Sequence, residues 1–346
     1  MKITMIGAGA IGGVLGAYLV NGGHDITFVD ICEEHVNAMK SRGLTIQLPQ
    51  GKTFSVPVNA LTVAEIKAKK EALGMTFLCV KAQATVPALE NVRELIREAT
   101  AVVSCQNGLC EYEIAKLIGP ERTIGCFVNL FADYIEPGVI NYGGEGAVYI
   151  GEIDGSRSAR VSELSQVLSE WGPVHTTGNI FGYLWSKLGY VTMLIGTALT
   201  DETIADVFEN KEMRNILLDT ASESLAVAES CGIETVGFDD WNPQWAYPAE
   251  KRDWEEIDRE MAIHVARLRT YTKTKSGIWR DLAVRKRKTE VPSQLQPVIE
   301  RARAANIAVP RLEKLLSMII EIEEGKRGLA LENISELALM RQNGFY

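Results

Sequence analysis

No two of the six cysteines, at 32, 79, 105, 110, 126 and 231, stand in a CxxC pair. That excludes a disulfide framework and a zinc ribbon. Several lie inside apolar runs, where thiols act as small core residues in a reducing compartment. Histidine is scarcer still. The four (24, 35, 175 and 264) include no i, i+4 pair and none near a cysteine at ligand spacing, so no metal is expected. Basic charge is in deficit, 36 Lys+Arg against 45 Asp+Glu for a net of −9. The balance argues against nucleic acid and anionic membrane surfaces as partners, and the run Arg285-Lys286-Arg287-Lys288 reads as a solvated face. Internal repeats and low-complexity tracts are absent. Only residues 180–200 approach a membrane span in length, and a mid-run lysine with three glycines marks them as a buried helix instead. The chain opens MKITMIGAGA, a strand running into a glycine turn, so no signal peptide and a cytoplasmic setting are expected.

The 346 residues suit two domains. Short apolar runs, Lys2–Ile6, Asp25–Val29, Met75–Val80, Ala101–Ser104 and Thr123–Val128, alternate with helical patterns near 10–21, 84–97 and 111–118. Such alternation predicts an α/β domain with a doubly wound parallel sheet. The stretch "LTIQLPQGKTFSVPV" predicts a hairpin turning at Gln50-Gly51. Residues 137–151 predict further strands, and Ser158–Trp171 a covering helix. From residue 179 onward the pattern is all-helical: 180–199, 201–209, 211–231, a stretch around 250–272, 293–305 and 311–324. The boundary is therefore drawn between domains 1–178 and 179–346. Three tryptophans and two prolines crowd into 238–254, "FDDWNPQWAYPAEKRDW", either a substrate lid or a well-packed connection.

The first thirty residues carry the clearest chemistry. In "KITMIGAGAIGGVLGAYLVNGGHDITFVD" a strand leads to Gly7-x-Gly9-x-x-Gly12, then a helix, then a second strand ending on Asp30. Gly7 permits the tight turn, Gly9 lets backbone approach a pyrophosphate, and Gly12 lets helix and strand pack closely. Ala10 and Ile11 open the helix, whose free N–H groups and positive dipole end face the phosphates. A carboxylate at Asp30 accepts hydrogen bonds from an adenosine ribose and repels a 2′-phosphate, so the cofactor is NAD or NADP, with NAD favoured. Lys40 and Arg42 are placed to blunt that preference. His24 in "GGHD" reads as a turn residue.

Ligands of open α/β sheets bind beyond the carboxyl ends of the strands. "MTFLCVK" ends there on Lys81, and "AVVSCQNGL" on Gln106-Asn107-Gly108. Each is either a polar group for cofactor and substrate or an ordinary strand-end residue. Further along, Leu184, Lys187, Leu188, Val191, Leu194 and Ile195 share one face of a helix, which sets the Lys187 ammonium on an apolar stripe. A buried ammonium must be paired or reach water in a cleft.

A glycine loop at the start, a strand ending in "VK", a "QNG" after the next strand, "W-x-K" opening a long apolar helix, "KTE" at 288–290 and "RARAANIAVP" at 301–310 together resemble the ketopantoate reductase family over nearly the whole chain. The resemblance implies an N-terminal Rossmann domain joined to a helical substrate and dimerisation domain, with the active site between them. It implies an NAD(P)-dependent oxidoreductase acting on a 2-oxo or 2-hydroxy acid, as 2-dehydropantoate 2-reductase does in pantothenate biosynthesis, and a homodimer. By matching motifs it makes Lys187 the general acid and Glu290 the carboxylate that pairs with it or binds a substrate hydroxyl. It places Lys81 and Asn107 at the nicotinamide end, with Asn107 also toward substrate, and offers Ser276 for the substrate carboxylate.

The chain departs from the family at the substrate. Asparagines one and two turns after the lysine are here Val191 and Ile195, which make no side-chain hydrogen bond. In "TKSGIWRD" either Ser276 or Gly277 takes the serine position, Val291-Pro292 follow "TE", and Asp30 stands where an NADPH user carries neutral or basic character. Two alternatives stay open: a dehydrogenase of another hydroxy or imino acid, and a non-catalytic NAD(H)-binding redox sensor.

Overall fold

The computed structural model describes residues 2–144, 146–271 and 273–340. It divides into two compact units, Met1–Phe181 and Gly182–Tyr346. In chain order the first unit has strands β1 (Lys2–Ile6), β2 (Asp25–Asp30), β3 (Leu44–Gln47), β4 (Thr53–Val56), β5 (Asn59–Thr62), β6 (Met75–Leu78), β7 (Ala101–Ser104), β8 (Thr123–Val128), β9 (Phe131–Glu136), β10 (Val139–Gly144), β11 (Val148–Glu152) and β12 (Val174–Thr176). Helices α1 (Ala10–Asn21), α2 (Glu33–Arg42), α3 (Val63–Lys69), α4 (Thr85–Asn91), α5 (Cys110–Ile118) and α6 (Ala159–Leu168) connect them.

Eight strands form one sheet in the order β12-β11-β8-β7-β6-β1-β2-β5. The six from β8 to β5 are mutually parallel. Ranked by position in the chain they run 3-2-1-4-5-6, the doubly wound order whose direction reverses between β1 and β6. These strands are apolar at nearly every position because both faces are covered. Ile3, Met5, Phe28 and Phe77 enter one core, and Ile6, Val29, Leu78 and Val102 the other.

A second sheet, β4-β3-β10-β9, was only half legible. The β3–β4 hairpin turns as expected, through Gln50 and Gly51 at φ 64° and 75°. The expected strands at 137–151 begin earlier, with β9. Their partner is a distant one: β10 pairs in parallel with β3, Ile140 opposite Ile46. This sheet packs over α1 so closely that a Cβ on Gly13 would lie 2.0 Å from Ile140 Cδ1.

The second unit contains α7 (Ile180–Thr197, which begins in the first), α8 (Ile204–Glu209), α9 (Lys211–Ser230), α10 (Trp254–Leu268), a single turn α11 (Gly277–Trp279), α12 (Val291–Ala304), α13 (Pro310–Glu323) and α14 (Glu332–Ala338). Its described residues hold no strand, only an isolated bridge between Phe238 and Trp241. Gly189 and Gly196 let α7 and α9 approach; a Cβ there would sit 3.0 Å from Leu225 and 2.2 Å from Leu217. No helix among the described residues is long and apolar enough to cross a membrane. All six cysteines are free, but Cys32 and Cys231 are exposed rather than in a core.

Candidate active site

The glycine turn follows β1 at the point where strand order reverses. Gly7 takes φ +92°, and a Cβ there would meet Val80 N at 2.9 Å, so the turn presses against the chain leaving β6. A Cβ on Gly12 would lie 2.1 Å from the Gly7 carbonyl oxygen. Gly9 differs: no atom lies within 4 Å of its Cβ position, and its φ of −69° suits any residue. No side chain caps α1 at this end. The first-turn N–H groups, at Ala10 and Ile11, have no partner within the helix. Open space over uncapped backbone donors fits a pyrophosphate.

Asp30 ends β2 half-buried, and both its oxygens already accept backbone N–H groups, Ala8 at 2.8 Å and Cys32 at 2.9 Å. Each oxygen keeps a further lone pair for a ribose hydroxyl. Glu33 and Glu34 follow in the first turn of α2. Lys40 is held by Glu65 at 2.5 Å and Arg42 by the Pro137 carbonyl at 2.5 Å, both in the last part of α2. No local pattern signals the next contact: His35, 1% exposed, touches the Ala8 carbonyl at 2.8 Å through Nε2. Its Nδ1 accepts from Gly138 N–H at 2.9 Å.

Beyond β6 and β7, Lys81 and Asn107 are both exposed. Neighbouring Gln106 is structural. Buried, it donates to the Val80 carbonyl at 2.9 Å and the Thr85 hydroxyl at 2.8 Å, tying the two strand ends together.

In the second unit, α7 answers why a lysine sits in an apolar helix. Leu184, Trp185, Leu188 and Ile195 are buried, whereas Tyr183, Lys187, Tyr190, Val191 and Leu194 form one half-exposed stripe at helical spacing. Lys187 thus sits at the edge of the apolar face, and Ile195, fully buried, belongs to the core rather than to a pocket wall. Glu290 is half-buried at the start of α12, and its side chain caps no N–H there. Ser276 is 8% exposed and its oxygen caps the Trp279 N–H at 3.2 Å; its hydroxyl hydrogen is not used by that bond. The segment 238–254 is a packed connection. Trp241 and Trp245 are buried and edge-to-face at 6.0 Å, and Arg252 binds the Ala246 carbonyl at 2.7 Å and Asp219 at 2.5 Å. Tyr190 joins this packing and shares a hydrogen with His264 Nε2 at 3.1 Å. No cluster able to hold a metal exists among the described residues.

The family described as "Ketopantoate reductase PanE/ApbA" matches residues 3–155, and its C-terminal counterpart matches 179–323. The 2-dehydropantoate 2-reductase of Mesorhizobium japonicum is 30% identical over 266 residues, 69% of this chain and 79% of that one. This chain belongs to the ketopantoate reductase family. The 2-dehydropantoate 2-reductase of Pyrococcus horikoshii is 28% identical over 95% of this chain and 99% of its own. Among solved structures, a D-mandelate dehydrogenase with NADH and anilino(oxo)acetate superposes at a TM-score of 0.79 with 21% identity, covering 94% of this chain and 99% of that one. The 2-dehydropantoate 2-reductase of Geobacter metallireducens superposes at 0.77 with 24% identity, covering 93% and 99%. Membership makes the chain an NAD(P)-dependent oxidoreductase acting on CH–OH groups, with a nicotinamide cofactor.

Proposed function

We propose that this reductase uses NADH and Lys187 to reduce a 2-oxo acid whose chain beyond the carbonyl is apolar. The observation that carries the reading is the place of Lys187, the one cation on the half-exposed stripe of α7 among the described residues. A nicotinamide dinucleotide held by the Gly7–Gly12 turn and Asp30 would supply the hydride. Lys187 hydrogen-bonds the carbonyl oxygen, stabilises charge developing there and delivers the proton that completes the alcohol. Glu290 pairs with Lys187 or accepts from the hydroxyl of the alcohol as it forms. Asn107 and Ser276 orient the substrate amide-to-oxygen and hydroxyl-to-carboxylate respectively, and Lys81 serves the nicotinamide end.

Two details shape specificity. Val191, one turn beyond Lys187, and Leu194 present methyl groups rather than amides on the same stripe. At the other end, Asp30, Glu33 and Glu34 follow closely in the chain, while Lys40 and Arg42 of α2 are engaged by Glu65 and the Pro137 carbonyl. A 2′-phosphate is repelled there, which supports NADH over NADPH. A D-mandelate dehydrogenase of the same fold also holds NADH. The test follows oxidation of NADH and NADPH with ketopantoate and with bulkier apolar 2-oxo acids. Lys187→Ala is expected to cut kcat about a thousandfold while NADH still binds. Undiminished turnover in that variant would sink the mechanism.

A further inference from the structure

We infer that His35 is a positioning residue for the dinucleotide, holding the Ala8–Gly9 peptide so that the Gly9 N–H is presented to the pyrophosphate. His35 is the third residue of α2 and 1% exposed, too deep to touch a ligand. Its tautomer follows from its partners. Gly138 N–H can only donate, so Nδ1 at 2.9 Å is the acceptor. Nε2 therefore carries the hydrogen and donates to the Ala8 carbonyl at 2.8 Å.

That bond fixes more than one oxygen. In a planar trans peptide, C=O and N–H point in opposite directions. With the Ala8 carbonyl turned onto His35, the Gly9 N–H points away from it, at a residue whose Cβ position has open space to 4 Å. The preceding peptide is held as well, because Ala8 N–H donates to Asp30. Side chains from β2 and α2 thus grip both sides of Ala8, itself fully buried. Without His35 the Ala8 carbonyl is a buried acceptor without a donor, and the peptide gains by rotating toward one.

The ring is in turn set by the second sheet. Gly138 lies in the β9–β10 turn at φ +79°, with its Cβ position 3.2 Å from Ala38 of α2. Arg42 anchors the same turn through Pro137, and Tyr134 of β9 stands edge-on to the imidazole at 5.1 Å. The second sheet thereby helps to set the geometry of the glycine loop.

The inference rests on the glycine loop holding the nicotinamide dinucleotide. The test measures NADH affinity by calorimetry in the full-length protein, with KM for the oxo acid and thermal midpoint alongside. His35→Leu removes both hydrogen bonds and is expected to weaken NADH about tenfold with the oxo-acid KM unchanged. His35→Gln, which presents an amide N–H and a carbonyl oxygen, is expected to restore affinity to within about twofold. A lower midpoint with equal NADH affinity in the leucine variant would overturn the inference alone. Failure of the wild type to bind NADH would overturn the cofactor reading with it. If the leucine variant does not fold, His35→Asn decides. Too short to span both partners, it is expected to bind NADH at least about fivefold more weakly than His35→Gln, and equal affinities would refute the role.

Discussion

An added Cβ at Gly9 meets nothing within 4 Å, while at Gly12 it falls 2.1 Å from the Gly7 carbonyl oxygen. The two glycines of one motif therefore answer to different pressures, and substitution separates them. Gly9→Val is expected to lower stability by no more than about 1 kcal/mol, the loss of a good N-cap residue. In the same variant NADH affinity drops at least about twentyfold, because the isopropyl group fills the space the pyrophosphate takes. Gly12→Ala is expected to do the reverse first, costing about 2–3 kcal/mol as helix and turn are forced apart. Thermal melts beside NADH titrations check both. A Gly9 variant that binds normally would remove the loop from the cofactor site.

At the level of elements, α9 and α13 are joined by a carboxylate. Glu223 of α9 is 1% exposed and accepts the N–H groups of Arg311 and Leu312 at 3.2 and 3.0 Å, capping the start of α13. Burial raises it from 4.5 to about 7, against the pull of those N–H groups and of Arg311. Its folded value lies above its unfolded one, so the folded state binds the extra proton and stability falls as pH rises from about 4.5 to 7. The shift corresponds to roughly 3 kcal/mol. Glu223→Gln keeps an acceptor for the cap without the charge. Urea midpoints of the two proteins are expected to converge near pH 4.5 and diverge toward pH 7.5, with the variant the more stable. Parallel pH profiles would refute the assignment. Elements like this one mark where sequence reading stops. The glycine turn, its flanking strands and α7 are legible because each is decided by residues adjacent in sequence. The register of β10 on β3, the donor that His35 offers to Ala8 and the reach of Glu223 to α13 join residues far apart in sequence, so local patterns are silent about them. Lys187 was legible as an anomaly on an apolar face, but only the burial of its neighbours shows that its stripe stays partly open.

Across the whole molecule, the candidate residues with one proposed task each are divided as the chain is. Gly9, Asp30 and His35 belong to the unit Met1–Phe181, and Lys187, Ser276 and Glu290 to Gly182–Tyr346, each with its own packed interior. If the first set binds cofactor and the second binds and protonates the oxo acid, defects in them are thermodynamically separate. Gly9→Val is expected to change the NADH dissociation constant and leave the KM for the oxo acid alone at saturating NADH. Glu290→Gln is expected to leave NADH affinity intact and reduce kcat/KM for the oxo acid about a hundredfold, the loss of one positioned carboxylate. Distant sites without shared partners add to within about 0.5 kcal/mol. The double variant should therefore lose the product of the two single effects, measured as kcat/KM at subsaturating NADH. A shortfall or excess above about 1 kcal/mol would show that the sets share a partner, and a cofactor effect of Glu290→Gln would move that carboxylate to the nicotinamide.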